Sequence, residues 1–152
     1  MKGKRIIIGS DHAGFDLKIQ VVDYLKQLGF SVYDVGTHSK ESCDYVDFAE
    51  KVAEAVSTGE YERGILICGS GIGMSIVANK FKGVRAALST SPYHARKSRE
   101  DNNSNVLTMG GRVTTFEIAK EIVNVWLETE FLGGRHERRV NKIFAIEDKN
   151  FK

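Results

Sequence analysis

The stretch Gly64–Ile65–Leu66–Ile67–Cys68–Gly69–Ser70–Gly71–Ile72–Gly73–Met74–Ser75–Ile76 decides the fold. Its apolar run Ile65–Ile67 reads as a short buried strand, bounded by Gly64 before and Gly69 after. Past the alternating glycines 69, 71 and 73, the residues Ile72, Ile76 and Val77 recur at helical spacing. Cys68 therefore marks the point where a strand ends and a helix begins. Open α/β sheets bind ligands at such points, because N–H groups at the helix start face outward with partial positive charge. The same field favours a thiolate over a thiol. The segment offers a nucleophile or base beside a nest of donors for an oxyanion.

Other readings compete for these residues. Cys68 could be a small core residue, with the glycines making only a tight turn. A dinucleotide fingerprint fits poorly: Gly69 and Gly71 match its first glycines, but its third slot holds Met74 and no ribose-binding acid follows at the right distance. A nucleotide P-loop fails because no Gly-Lys-Ser/Thr follows. A sugar-phosphate or acyl site built on Cys68 stays open beside the core reading.

Working outward, Arg5–Gly9 reads as a first buried parallel strand, its β-branched run suiting a sheet covered on both faces. An amphipathic helix follows from Phe15 to Leu28, stopped by Gly29. Phe30–Val35 is a second strand, 36–44 a polar loop, and Tyr45–Val56 a helix. The Cys68 strand is third and Val84–Leu88 a fourth. Pro92 opens a helix running towards Asp101. Val106–Met109 is a fifth strand, a long helix covers 116–127, and a C-terminal helix runs from Arg135 past Ile146. Strand and helix alternate throughout, which predicts one α/β domain over residues 1–152: three layers, α/β/α, around a five-stranded parallel sheet.

The totals agree with that class. The chain has 152 residues, 41% hydrophobic and 28% charged, with a formal charge of +2. Its basic residues are scattered among acids, which argues against nucleic acid as a partner, though a local basic spot could still hold a small anion. No apolar run is long enough to cross a bilayer. The basic start Met1–Lys2–Gly3–Lys4–Arg5 is followed by only three isoleucines, too few for a signal peptide. Two cysteines, Cys43 and Cys68, make neither a disulfide framework nor a zinc site. A reduced, cytoplasmic protein is expected.

Three further clusters are candidates for chemistry. Asp11 and His12 follow the first strand at the same sheet edge as Cys68, where Asp11 could equally cap the next helix. Gly133–Gly134–Arg135–His136–Glu137–Arg138–Arg139 is the densest cationic run. Arg135 and Arg139 are four apart, so a helix projects both from one face, as a phosphate clamp or as a solvated surface. Asp101 and Asn102 sit in a polar stretch just before the fifth strand, where nothing local decides their role.

Taken in order, Gly9–Ser10–Asp11–His12–Ala13–Gly14, Cys68–Gly69–Ser70–Gly71–Ile72–Gly73, Ala78–Asn79–Lys80 and Gly133–Arg139 resemble the type B ribose-5-phosphate isomerase family, which also includes galactose-6-phosphate isomerase subunits. The similarity runs over essentially the whole chain. It implies a Rossmann-like sandwich, a sugar-phosphate substrate, no cofactor or metal, and a homodimer or tetramer with active sites at the subunit interface. By resemblance Cys68 is the base that moves a proton between carbons 1 and 2. Gly69, Ser70, Gly71, Ile72 and Gly73 cradle the enediolate oxygen. Asp11 and His12 contact the sugar, with His12 towards the phosphate, and Arg135 and Arg139 clamp that phosphate. Asn102, Arg112 and His136 match further binding positions, some supplied by the neighbouring subunit.

One position departs from the resemblance. Many family members carry a histidine, assigned to opening the furanose ring, where this chain has Asp101. An ionised aspartate can accept a proton but not donate one. His94 lies seven residues earlier, on roughly the same helix face, as a substitute imidazole. The expected activity is interconversion of ribose 5-phosphate and ribulose 5-phosphate. The same chemistry on a tetrose 4-phosphate or a six-carbon phosphate, and a non-catalytic sugar-phosphate-binding subunit, are the alternatives.

Overall fold

A computed structural model describes residues 3–151, so the basic Met1–Lys2 start lies outside the described residues. Among the described residues the elements are β1 Arg5–Ser10, α1 Phe15–Gln27, β2 Ser31–Asp34, α2 Tyr45–Ser57, β3 Gly64–Cys68, α3 Ile72–Ala78, β4 Ala86–Leu88, α4 Pro92–Glu100, β5 Val106–Gly110, α5 Phe116–Glu128 and α6 Arg135–Asn150. The strands form one parallel sheet in the order β2-β1-β3-β5-β4. This is the three-layer α/β/α arrangement expected, with a five-stranded sheet.

Side-chain alternation along the strands splits the core in two. Ile6, Ile8, Ile65 and Ile67 face α1 and α5, packing on Leu17, Val21, Ile122 and Trp126. Ile7, Leu66 and Cys68 face the other way, onto Val52 and Ala53 of α2 and Met74 of α3. Burial on both faces explains why the strands read as continuous apolar runs rather than alternating ones.

The fourth strand is shorter than the sequence suggests. Val84 donates to the Phe81 carbonyl (3.1 Å) in a turn, and the Arg85 N–H is taken by the Asn105 side chain (2.7 Å). The Arg85 N–H is thereby withdrawn from the ladder, although its carbonyl accepts from the Val106 N–H (3.3 Å), and the paired residues begin at Ala86 opposite Val106. Gly29, by contrast, ends α1 as expected, with φ +91° just past the last helical turn.

From β1 the chain moves to β2 on one side and then crosses back to β3 on the other, so the strand order reverses between β1 and β3. Loops leaving the carboxyl ends of those two strands diverge there, and the crevice between them is where open α/β sheets hold their ligands. Here the diverging loops are Asp11–His12 and Gly69–Ser70.

Candidate active site

An open cavity of about 620 Å³ occupies that crevice. Asp11 and His12, which follow β1, together with Cys68 at the end of β3 and Gly69 and Ser70 after it, line the cavity. Ile72 and Gly73 of α3 line it too, and so does Arg112, which follows β5 and which the resemblance gave only as a further binding position. Gly71, between these lining residues in the chain, is itself buried.

Gly71 shapes the floor. Its φ of +81° is left-handed, and a Cβ there would come within 2.6 Å of Leu88 and 2.8 Å of Met109 backbone. That conformation turns the Gly71 N–H onto the Cys68 sulfur at 3.1 Å. The Cys68 side chain is only 5% exposed, and this amide is the one polar group hydrogen-bonded to its sulfur among the described residues. The Ser70 Oγ accepts from the Ile72 N–H at 3.2 Å, which leaves the Ser70 hydroxyl proton free to be donated. The expected nest of donors is therefore partly occupied: two of its amides already serve Cys68 and Ser70.

The neighbouring loops are held tightly. Asp11 is nearly buried and its Oδ1 accepts from the Gly14 N–H at 3.0 Å. Asp11 therefore closes the turn that precedes α1, while the α1 N-cap, Gly14, has no side-chain cap. The Gly111 N–H donates to the Cys68 carbonyl (2.7 Å) and the Arg112 N–H to the Gly69 carbonyl (3.0 Å). The Arg112 guanidinium runs across Gly69, where a Cβ would lie 3.3 Å from its Nη1. Arg112 is exposed and has no ion-pair partner among the described residues.

Sequence reasoning missed Tyr45, Ile76 and Val113, which also line the cavity. A Cβ on Gly73 would meet the Tyr45 ring at 2.6 Å, so the glycine exists to let that ring in. The sequence carries no local sign of a contact between the start of α2 and the start of α3. Ile76 and Val113 were legible only as apolar residues, yet they are 58% and 64% exposed at the rim.

Asp101, Asn102, Arg135, His136 and Arg139 do not line this cavity; they form a second group where α4 ends and α6 begins. The Leu132 N–H joins the two segments through the Glu100 carbonyl (3.1 Å). His136 Nε2 lies 3.5 Å from Asp101 Oδ1. The imidazole beside Asp101 is thus His136; His94 is exposed and engages Thr90 (3.2 Å) instead. Arg135 and Arg139, on successive turns at the start of α6, are exposed and without an ion-pair partner among the described residues. Asn102 borders a separate cavity of about 370 Å³ together with Asn79 and Arg85.

A residue with no sequence signal anchors this second group. Arg99 donates to the Thr129 carbonyl (3.2 Å), the Asn103 side chain (2.9 Å) and the Ser104 carbonyl. Burial, together with the charges of Arg63 and Arg85, pushes its guanidinium down to about 10. Trp126 adds a bond from Nε1 to Ser104 Oγ (2.9 Å), so the loop bearing Asp101 and Asn102 is fastened from beneath.

Among the described residues no three His, Cys, Asp or Glu side chains are grouped to hold a metal ion, and no helix is long and apolar enough to cross a membrane. Residues 6–143 match the Ribose/Galactose Isomerase family. Ribose-5-phosphate isomerase B of Escherichia coli is 50% identical over 146 residues, covering 96% of this chain and 98% of that protein. D-erythrulose-4-phosphate isomerase of Pectobacterium atrosepticum is 46% identical over 143 residues, covering 93% and 94% respectively. The structure of Clostridium thermocellum ribose-5-phosphate isomerase B superposes with a TM-score of 0.94 at 55% identity, over 95% of this chain and 98% of that one. A profile match and relatives of this extent leave one assignment: the chain belongs to the ribose/galactose isomerase family.

Proposed function

We propose that this protein, a sugar-phosphate isomerase by family, interconverts ribose 5-phosphate and ribulose 5-phosphate with Cys68 as the proton-transfer base. The observation that carries the reading is the Gly71 N–H held 3.1 Å from the Cys68 sulfur, at the floor of a cavity shared with His12 and Arg112. A thiolate takes the proton from carbon 2 of the open-chain aldose. A proton passes from the carbon-2 hydroxyl to the carbon-1 oxygen, and the thiol returns its proton to carbon 1, giving the ketose. Charge building on the enediolate oxygen meets the Ser70 hydroxyl, whose oxygen is already polarised by the Ile72 N–H.

Arg135 and Arg139 hold the phosphate, and they reach the cavity from a second copy of the chain. The reading is supported by the separation of the two groups within one chain. It is supported too by the apolar rim of Ile72, Ile76 and Val113, each more than half exposed. Two exposed guanidinium groups at the uncapped N-terminus of a 16-residue helix suit a dianion. The assembly is then a homodimer or tetramer with interface sites.

The test is exchange in deuterated water. Ribose 5-phosphate incubated with the protein should gain deuterium at carbon 2 and yield ribulose 5-phosphate labelled at carbon 1, and Cys68→Ala should abolish both. Turnover without Cys68 would assign the proton to another base.

Asp101 favours a second reading, in which the substrate is a four-carbon sugar phosphate. Phosphorylation at carbon 4 blocks the hydroxyl that would close a furanose ring, so no ring-opening imidazole is needed. The similarity to a D-erythrulose-4-phosphate isomerase supports it. Rates over four-, five- and six-carbon phosphates separate the two.

A further inference from the structure

The loop between β2 and α2 meets His12, which lines the cavity. The backbone N–H of Cys43 donates to His12 Nδ1 at 3.2 Å. The Cys43 sulfur is farther from the same nitrogen, at 3.9 Å. We propose that the Cys43 amide is a positioning group that fixes His12 in its Nε2–H tautomer, so that the ring offers a hydrogen-bond donor to an oxygen of the bound sugar phosphate. The identity of the ligand rests on the function proposed above; the tautomer does not.

A neutral imidazole carries one hydrogen, and the nitrogen without it is the acceptor. An N–H aimed at Nδ1 makes that nitrogen the acceptor, since hydrogen there would set two donors against each other. The hydrogen therefore sits on Nε2. Among the described residues Nε2 has no protein partner, and His12 lines the cavity that Cys68 and Arg112 share. A ring free to turn or to change tautomer would present an acceptor part of the time, which repels an anionic oxygen.

The Cys43 amide can impose this because both ends of its loop are fixed. At the start, the Thr37 N–H donates to the Ser10 carbonyl and the Ser10 N–H to the Gly36 carbonyl, both at 2.7 Å. The Gly36 N–H is held by Asp34 Oδ1 (2.9 Å), and Lys18 holds the Thr37 carbonyl. At the end, Cys43 directly precedes Asp44, the N-cap of α2, whose carbonyl accepts from the Asp47 N–H (3.2 Å). The amide direction is thus set by elements that pack into the core, not by the ligand.

Long-range ¹H–¹⁵N correlation on histidine-labelled protein, without ligand and above the histidine titration range, reads the tautomer directly. His12, recognised by the signal lost in His12→Gln, should appear as pure Nε2–H. Cys43→Ala keeps the amide and should leave that pattern unchanged, whereas Cys43→Pro removes the N–H and should give a mixture. If the proline variant does not fold, two replacements of His12 decide. Gln carries an amide near the Nε2 position and Asn near Nδ1, so His12→Gln should bind ribose 5-phosphate roughly tenfold more tightly than His12→Asn, about the effect of one hydrogen bond to a charged group. An Nδ1–H or mixed tautomer in the wild type, or Asn matching Gln, overturns the proposal. A pure Nε2–H signal in a protein that does not bind ribose 5-phosphate would instead overturn the substrate while leaving the tautomer assignment standing.

Discussion

Both carboxylate oxygens of Asp34 lie 2.8 Å from the Lys18 ammonium, which is completely shielded from solvent. The Thr37 carbonyl and the face of the Phe15 ring (5.4 Å) complete its surroundings. This pair joins α1, the end of β2 and the loop that leads to Cys43. Asp34 itself is 22% exposed, so the two partners differ in what they lose when left alone. An orphaned Lys18 charge has no water, whereas an orphaned Asp34 can hydrate.

The two substitutions are therefore not equivalent. Asp34→Asn should cost about 3–5 kcal/mol of stability, as breaking a buried ion pair does. Lys18→Met, which keeps the apolar stem and removes the buried charge, should cost clearly less. Urea unfolding of both variants checks the order, and a larger loss for Lys18→Met would mean that the carboxylate, not the ammonium, is the desolvated partner.

Cys68→Ala should lower kcat by about 10²–10⁴, the usual contribution of a positioned proton-transfer group. Because the thiol contributes to the transition state and little to ground-state binding, KM should change little. Steady-state kinetics with ribose 5-phosphate measure both. Near-normal turnover would leave Cys68 as the core residue its burial alone would suggest.

Replacing Arg135 or Arg139 by Ala should weaken sugar-phosphate binding by about 1.5–3 kcal/mol each, the value of a charge-assisted hydrogen bond. Calorimetric titration reads this directly. The unphosphorylated sugar is the control, since it should bind poorly to wild type and lose nothing further. Mixing Arg135→Ala protein with Cys68→Ala protein adds a test of the shared site. If each site draws on two copies, mixed oligomers assayed at substrate too dilute to saturate Arg135→Ala should show more activity than the two variants assayed separately add up to.

Much of this was readable from the chain, and the unread part has a physical pattern. The alternation of strands and helices, and the meeting of Asp11, His12 and Cys68 at one sheet edge, follow from local apolar patterning plus the rule that ligands sit at carboxyl ends of parallel strands. What patterning does not carry is contact between distant surfaces. The Tyr45 ring over Gly73 and the Cys43 amide on His12 depend on how a loop lies across the sheet edge. Arg99 lies in a helix whose sequence is mostly polar, and only tertiary packing makes it a buried anchor. His136 beside Asp101 belongs to the same class: two segments 35 positions apart, brought together by the turn before α6.

That last pair bears on the choice of substrate. Asp101, 34% exposed in its side chain, faces the largely enclosed imidazole of His136 at 3.5 Å. A carboxylate in this place can orient His136 but, ionised, has no proton to give to a ring oxygen. If the natural substrate closes into a furanose, ring opening should limit turnover, and Asp101→His should raise kcat on ribose 5-phosphate. On erythrose 4-phosphate, which cannot close a furanose ring, the same substitution should be neutral or harmful. His136→Gln separates orientation from chemistry: if His136 takes part in ring opening, its loss should slow the pentose and spare the tetrose. Stopped-flow comparison of wild type and both variants on the two sugars gives four ratios. Should wild type turn over the pentose rapidly and Asp101→His slow it, then Asp101 already serves ring opening, and its carboxylate is an asset for five-carbon substrates rather than a sign of shorter ones.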